Sequence, residues 1–295
     1  MENHSYIEFK QERDLGTILS DTFRFIRENW RAYFLTVLKI CGPVLLIFLT
    51  ALGFYMYSFS GLFTGIGQPG WEQEGPDTGS AGMMVISVVV FMIAAIALYV
   101  LMNVSSLYFV RSYIDNNGPT DFAEIKRNVA KNFWSFLGLG ILVMLLYFVS
   151  AMLCFFPIIY TWVVLSLAFP IMVFEGRGVT DSIGHCFTLI KDHWFNTFGV
   201  LFVVALLVIV LSLIFAVPTL IYQIIDMGTS LGENDPTAAV GIFSDPIYLL
   251  LNILSRLGQF VLSSITLIAS VFIYFDLNEQ KNQIGTLERI DNLGQ

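Results

Sequence analysis

The stretch FLGLGILVMLLYFVSAMLCFFPIIYTWVVLSLAFPIMVF, residues 136–174, contains no charged side chain. A helical span needs about 20 mostly apolar residues to cross roughly 30 Å of hydrocarbon. Thirty-nine residues are too many for one span and suit two. Pro157 supplies the break, because proline cannot continue a helix that reaches it. The pair 136–155 and 158–174 therefore reads as a tight hairpin.

Working outward, four more runs are long and apolar enough, at 34–57, 83–109, 195–217 and 247–275. The whole chain of 295 residues is 56% hydrophobic and 13% charged, with a mean hydropathy of +0.73. Soluble domains carry roughly 25% charged residues. A water-soluble globule, a disordered chain and a nucleic-acid binder with a dense basic face are all excluded. The runs are continuous and do not alternate, which argues against a β-barrel. The expected class is an all-α polytopic membrane protein with six spans and a single membrane domain at 15–276. A polar arm at 1–14 precedes it and a tail at 277–295 follows it. The polar N-terminal stretch leads us to expect an uncleaved signal anchor in the first span.

Lys and Arg set the orientation. Segments 59–82, 156–157 and 218–246 hold none, but carry seven acids. Thirteen of the 15 basic residues fall in the alternate segments and the two ends. Both termini are therefore expected in the cytoplasm, with the acidic loops outside or in a periplasm. Cys41, Cys154 and Cys186 suit no external disulfide pair and read as small buried filler.

Three segments look alike: 15–31, 120–134 and 179–194. A constant offset of 164 aligns Phe23 with Phe187, Ile26 with Ile190, Arg27 with Lys191 and Trp30 with Trp194. The middle copy aligns more loosely at an offset of 103. Each spaces apolar residues three or four apart, so each is read as an amphipathic helix in the membrane interface. In the third copy the apolar face is Val179, Ile183, Phe187, Ile190 and Trp194. Trp30, Phe133, Trp134 and Trp194 are the expected headgroup-level anchors. The unit is an interfacial helix, an outward span, a turn and an inward span, repeated three times.

The sixth run carries a polar stripe, Asn252, Arg256, Gln259, Ser263, Thr266 and Ser270, spaced 4, 3, 4, 3 and 4. Such spacing places them along one side of a helix. The stripe can line a hydrated groove, hold a lipid headgroup, meet a partner subunit, or bond neighbouring helices. Arg256 stands about 15 Å in from Pro246. An arginine at that depth costs about 2.5–3.5 kcal/mol on insertion scales. No acid occurs at matching depth, and Asn103 is one candidate partner. Lys39 lies near the start of the first run, where it can snorkel inward. Glu175 ends the fourth.

No phosphate-binding glycine loop, zinc spacing or nucleophile elbow occurs. His185 and His193 are about 12 Å apart along one helix, too far for one metal, and read as surface groups. No enzyme activity, metal or cofactor is expected. Residues 65–82 are rich in Gly and Pro, and 218–227 reads as a short outer interfacial helix.

The order of F-x-x-I-[RK]-x-[NH]-W helices (Phe23–Trp30 and Phe187–Trp194), paired spans and the closing IYFDLNEQKNQIGTLERID at 273–291 resembles a known group. It is similar to the uncharacterised bacterial inner-membrane proteins related to the glycerophosphoryl diester phosphodiesterase membrane domain. That resemblance implies a membrane module without the hydrolytic domain, and it transfers no catalytic residue. Asn278 and Gln280 depart from the charged residues usual there. The resemblance implies membrane lipids and other inner-membrane proteins as partners, including an ATPase-linked complex. The function expected is a non-catalytic subunit that scaffolds or regulates such a complex. The alternative is a lipid or small-solute transporter, or a lipid-binding protein, using the polar stripe.

Overall fold

A computed structural model of the chain describes residues 6–62, 78–153, 155–233, 242–283 and 285. The fold is all-α. The helices are α1 (Leu15–Leu62), α2 (Thr78–Asp115), α3 (Phe122–Leu153), α4 (Phe155–Leu165), α5 (Ala168–Glu175), α6 (Val179–Ile190), α7 (Trp194–Glu233) and α8 (Pro246–Asn282). A short 3-10 turn at Ile242–Ser244 precedes α8. Six stretches are long and apolar enough to cross a membrane: α1, α2, α3, Pro157–Glu175, α7 and α8. His4, Cys154 and most of 65–82 lie outside the described residues, as does the tail beyond 285.

Helix boundaries differ from the expected ones in an informative way. The first two amphipathic segments do not form separate helices: 15–31 runs on into the first span within α1, and 120–134 continues into α3. Only the third stands alone, as α6. Residues 218–227 are likewise part of α7, which passes through Pro218. Pro43 sits inside α1. Proline is tolerated within membrane helices because neighbouring groups satisfy the freed carbonyl. The break expected at 156–157 is displaced: α4 begins at Phe155 and carries Pro157 in its first turn, where a missing N–H is tolerated, and the run expected as one span over 158–174 is divided between α4 and α5. Asp121 accepts the Ala123 N–H at 2.8 Å and so caps the start of α3.

The chain forms two compact units. The second unit comprises Pro43–Leu98 and Ile209–Leu262. Its core is Leu52, Met56, Ile242 and Tyr248, edged by Tyr55, Phe91, Tyr222, Phe243 and Leu249. Gln223 donates to the Tyr248 hydroxyl at 2.6 Å. Asp245 caps α8 by accepting the Ile247 N–H at 2.7 Å, and Pro246 takes the first helical position, where a missing N–H costs nothing. Gly258 is buried where a Cβ would collide with the Phe215 ring, so glycine lets α7 and α8 approach closely.

The first unit comprises Met1–Gly42, Tyr99–Val208 and Ser263–Gln295. The α3–α4 hairpin packs within it, and α6 lies against α3, α4 and α5. Its core is aromatic. Phe25 meets Tyr113 and Phe109 edge-on, at 5.0 and 6.4 Å. The Tyr33 hydroxyl bonds Ser106 at 2.7 Å, while Cys41, eight residues on, faces Ser105 at 3.5 Å.

The polar arm is built into this core. Ile7 and Phe9 are buried, and the Phe9 ring stacks on Phe272 at 4.5 Å. The Arg13 side chain is fully buried. It pairs with Asp21 at 2.9 Å, donates to the Phe9 carbonyl at 2.8 Å and to the Gln11 and Glu8 carbonyls, and lies 4.7 Å over the Phe272 ring. The Arg13 backbone N–H donates to Asp276 at 2.8 Å. A buried guanidinium is tolerable only when paired and bonded in this way. Asp14 then caps α1 through the Thr17 N–H at 2.8 Å.

Candidate functional site

The stripe of α8 extends over both compact units. At 100° per residue it runs roughly 75° round the helix from the buried line Tyr248, Ser255, Gly258 and Leu262. Asn252, Arg256 and Gln259 belong to the second unit, and Ser263, Thr266 and Ser270 to the first. Most members bond nearby. Asn252 donates to the Tyr248 carbonyl at 3.0 Å, Ser270 to the Leu267 carbonyl at 2.7 Å, and Ser263 to the Met102 sulfur at 3.2 Å. Thr266 is half-buried.

Arg256 differs from the rest. It is exposed, at the outer margin of the stripe, and donates to Gln259 of its own helix at 3.1 Å. Gln259 in turn leans on Ser255 at 3.4 Å. Among the described residues no carboxylate pairs with Arg256. Asn103 donates instead to the Tyr99 carbonyl at 2.8 Å. Lys39 also finds a partner in its own unit, with Nζ 5.3 Å over the Phe122 ring.

Of the anchors, Trp30 and Trp134 are exposed, and Phe133 is half-buried against Trp134 at 5.5 Å. Trp194 stacks on Phe198 at 5.3 Å and on Tyr160 at 6.1 Å. Its indole N–H is buried with no partner among the described residues. On α6, Ile183 and Ile190 of the assigned apolar face pack into the protein together with Ser182, Cys186 and Leu189, while Phe187 is exposed. Burial pushes the Cys186 thiol up to about 12.

A polar cavity of about 500 Å³ lies elsewhere, in the first unit. Glu175 is its hub. The left-handed Gly176, at φ +66°, ends α5 beside it. Glu175 accepts from the Tyr274 hydroxyl at 3.2 Å, faces His185 Nε2 at 3.3 Å and pairs with Arg177. Arg111, four residues before the end of α2, donates to the Val173 carbonyl at 2.6 Å and faces Asp115 at 3.6 Å. Glu279 of α8 is buried and accepts the Gly285 N–H at 2.7 Å. Lys10 from the arm and Asn278 close the lining. His185 is thus not a mere surface group.

Taken one by one in the sequence, these residues read as the end of a span, a surface histidine and part of a closing Tyr-Phe-Asp-Leu segment. The signal that could have joined them is that Glu175 directly follows one long apolar run and Tyr274 lies in the last turn of another.

Among the described residues no three His, Cys, Asp or Glu side chains stand together to hold a metal. The six spanning helices and these polar groups define an all-α polytopic membrane protein. Compared with protein-family models, with curated proteins and with solved structures, the chain has no match.

Proposed function

We propose that the chain is a non-catalytic subunit of a bacterial cytoplasmic-membrane complex, with both termini in the cytoplasm, and that it scaffolds or regulates partner membrane proteins along the Arg256 side of α8. The observation that carries this reading is Arg256 itself. An exposed arginine among apolar residues such as Leu254 and Phe260 needs a counter-charge. Among the described residues its partner is the Gln259 side-chain amide oxygen. An acid or a row of carbonyls on a neighbouring helix would neutralise it at lower cost than lipid tails.

Repetition supports a module built from duplicated units. At the offset of 164, Ile18, Thr22 and Phe25 correspond to Ser182, Cys186 and Leu189, and all six are buried. The hydroxyl of Thr22 and the thiol of Cys186 both donate to the carbonyl four residues back. Phe23 and Phe187 are both exposed, as suits helices that present aromatic rings to the membrane interface.

The test is a mild-detergent pull-down of the tagged chain, with proteins and lipids both quantified by mass spectrometry. The subunit reading expects a stoichiometric membrane partner that is lost from Arg256→Leu while expression holds. A chain isolated alone with a reproducible anionic lipid would replace this reading with lipid handling along the stripe.

A further inference from the structure

The cavity around Glu175 has a charge pattern that selects among ligands. Three bases reach it from three segments: Lys10 from the arm, Arg111 from α2 and Arg177 after α5. Among the described residues three acids share the lining, Asp115, Glu175 and Glu279, with Asp115 facing Arg111 and Glu175 paired with Arg177. A purely anionic ligand would meet three carboxylates, and a purely cationic one three bases. A ligand with both charges can pair with each set at once.

The rest of the wall agrees. Phe174, Phe275 and Ile114 supply an apolar side that suits a short methylene linker. Tyr274 and Asn278 add neutral hydrogen-bonding groups. The depth is informative too. Arg111 and Asp115 follow the end of the apolar run at Phe109, and Glu175 follows the one ending at Phe174. The cavity therefore opens where apolar helix gives way to polar chain, the level at which headgroups lie.

We propose that this cavity binds a zwitterion, an ammonium group and an oxyanion a few bonds apart, presented by a lipid headgroup or by a free solute. Glu175 and Asp115 receive the ammonium, while Arg177, Arg111 and Lys10 receive the oxyanion. The site is independent of Arg256, so either proposal can fail alone.

The test uses the full chain in detergent. The probes are free phosphoethanolamine, glycerol phosphate and ethanolamine by calorimetry, and micelles doped with phosphatidylethanolamine or phosphatidylglycerol by native mass spectrometry. Binding of both phosphoethanolamine and its lipid, with the singly charged probes weaker by about tenfold, supports the proposal and a site open to solutes. Binding of phosphatidylethanolamine alone supports it with the lipid as source. Equal binding of glycerol phosphate or phosphatidylglycerol overturns it, as does no binding of any probe. Arg177→Gln and Lys10→Gln, which must melt like the parent chain, should each weaken the zwitterion by about tenfold, the worth of one charged hydrogen bond. Unchanged affinity in both also overturns it.

Discussion

Phe9→Ala should unfasten the N-terminal arm and destabilise the first unit. Phe9 has 0% exposure. Its ring stacks on Phe272 at 4.5 Å and meets Phe25 at 5.5 Å, Phe275 at 5.8 Å and Tyr113 at 6.1 Å, edge-on or nearly so. Removing a fully buried phenyl ring costs about 3–5 kcal/mol, part of it lost transfer energy and part the cavity left behind. The loss also loosens Arg13, whose guanidinium covers the same Phe272 ring and bonds the Phe9 carbonyl. In a chain of this size the change corresponds to a fall of about 10 °C in melting temperature. The assay is thermal unfolding in detergent, followed by tryptophan fluorescence, with trypsin cleavage after Lys10 and Arg13 as the local reporter. Glu12→Ala, at an exposed position, is the control and should shift stability by less than ~0.5 kcal/mol. A Phe9→Ala chain that melts with the parent and resists trypsin equally would refute the arm's role in the core. So would rapid cleavage after Arg13 in the parent chain.

Other expectations follow from single contacts. The Thr17 side chain and N–H hold the Asp14 carboxyl below its usual range, so its cap on α1 is fully present above the ordinary carboxylate pKa and is lost as pH falls through the lowered one. Amide exchange at Thr17 and Ile18 should therefore rise on acidification, and Asp14→Asn should flatten that pH dependence. Cys186, its thiol pushed up to about 12 by burial, should resist maleimide at neutral pH in the folded chain and react once SDS unfolds it. Gly258→Ala must displace the Phe215 ring and should destabilise the second unit by about 1–3 kcal/mol, read as a lower melting temperature.

The spans were legible because hydrocarbon demands long runs without charge, and such runs stand out in any sequence. The buried faces were less so. An apolar pattern cannot distinguish a ring packed on protein from one packed on lipid. Phe23 and Phe187, read as facing the membrane interface, are exposed, but the sequence carried no sign that the small polar Thr22 and Ser182 are buried. Helix ends at Val217 and near Arg31 were misplaced for a related reason. Proline and clustered charge stop helices in water, yet α7 and α1 continue through them. Arg256 was visible because a lone charge in an apolar run is conspicuous. The Glu175 cavity was not, because Glu175 and Tyr274 are 99 residues apart and each alone reads as the polar end of a span. The arm's alternation of Ile7 and Phe9 was the one sign that a polar segment had apolar anchors.

The most direct measurement places a photo-crosslinking residue at Phe260, one turn from Arg256, and irradiates cells or native membranes. The expected result is a discrete protein adduct that disappears when Arg256→Leu is added. Adducts to lipid alone, or a protein adduct indifferent to Arg256, would contradict the subunit role.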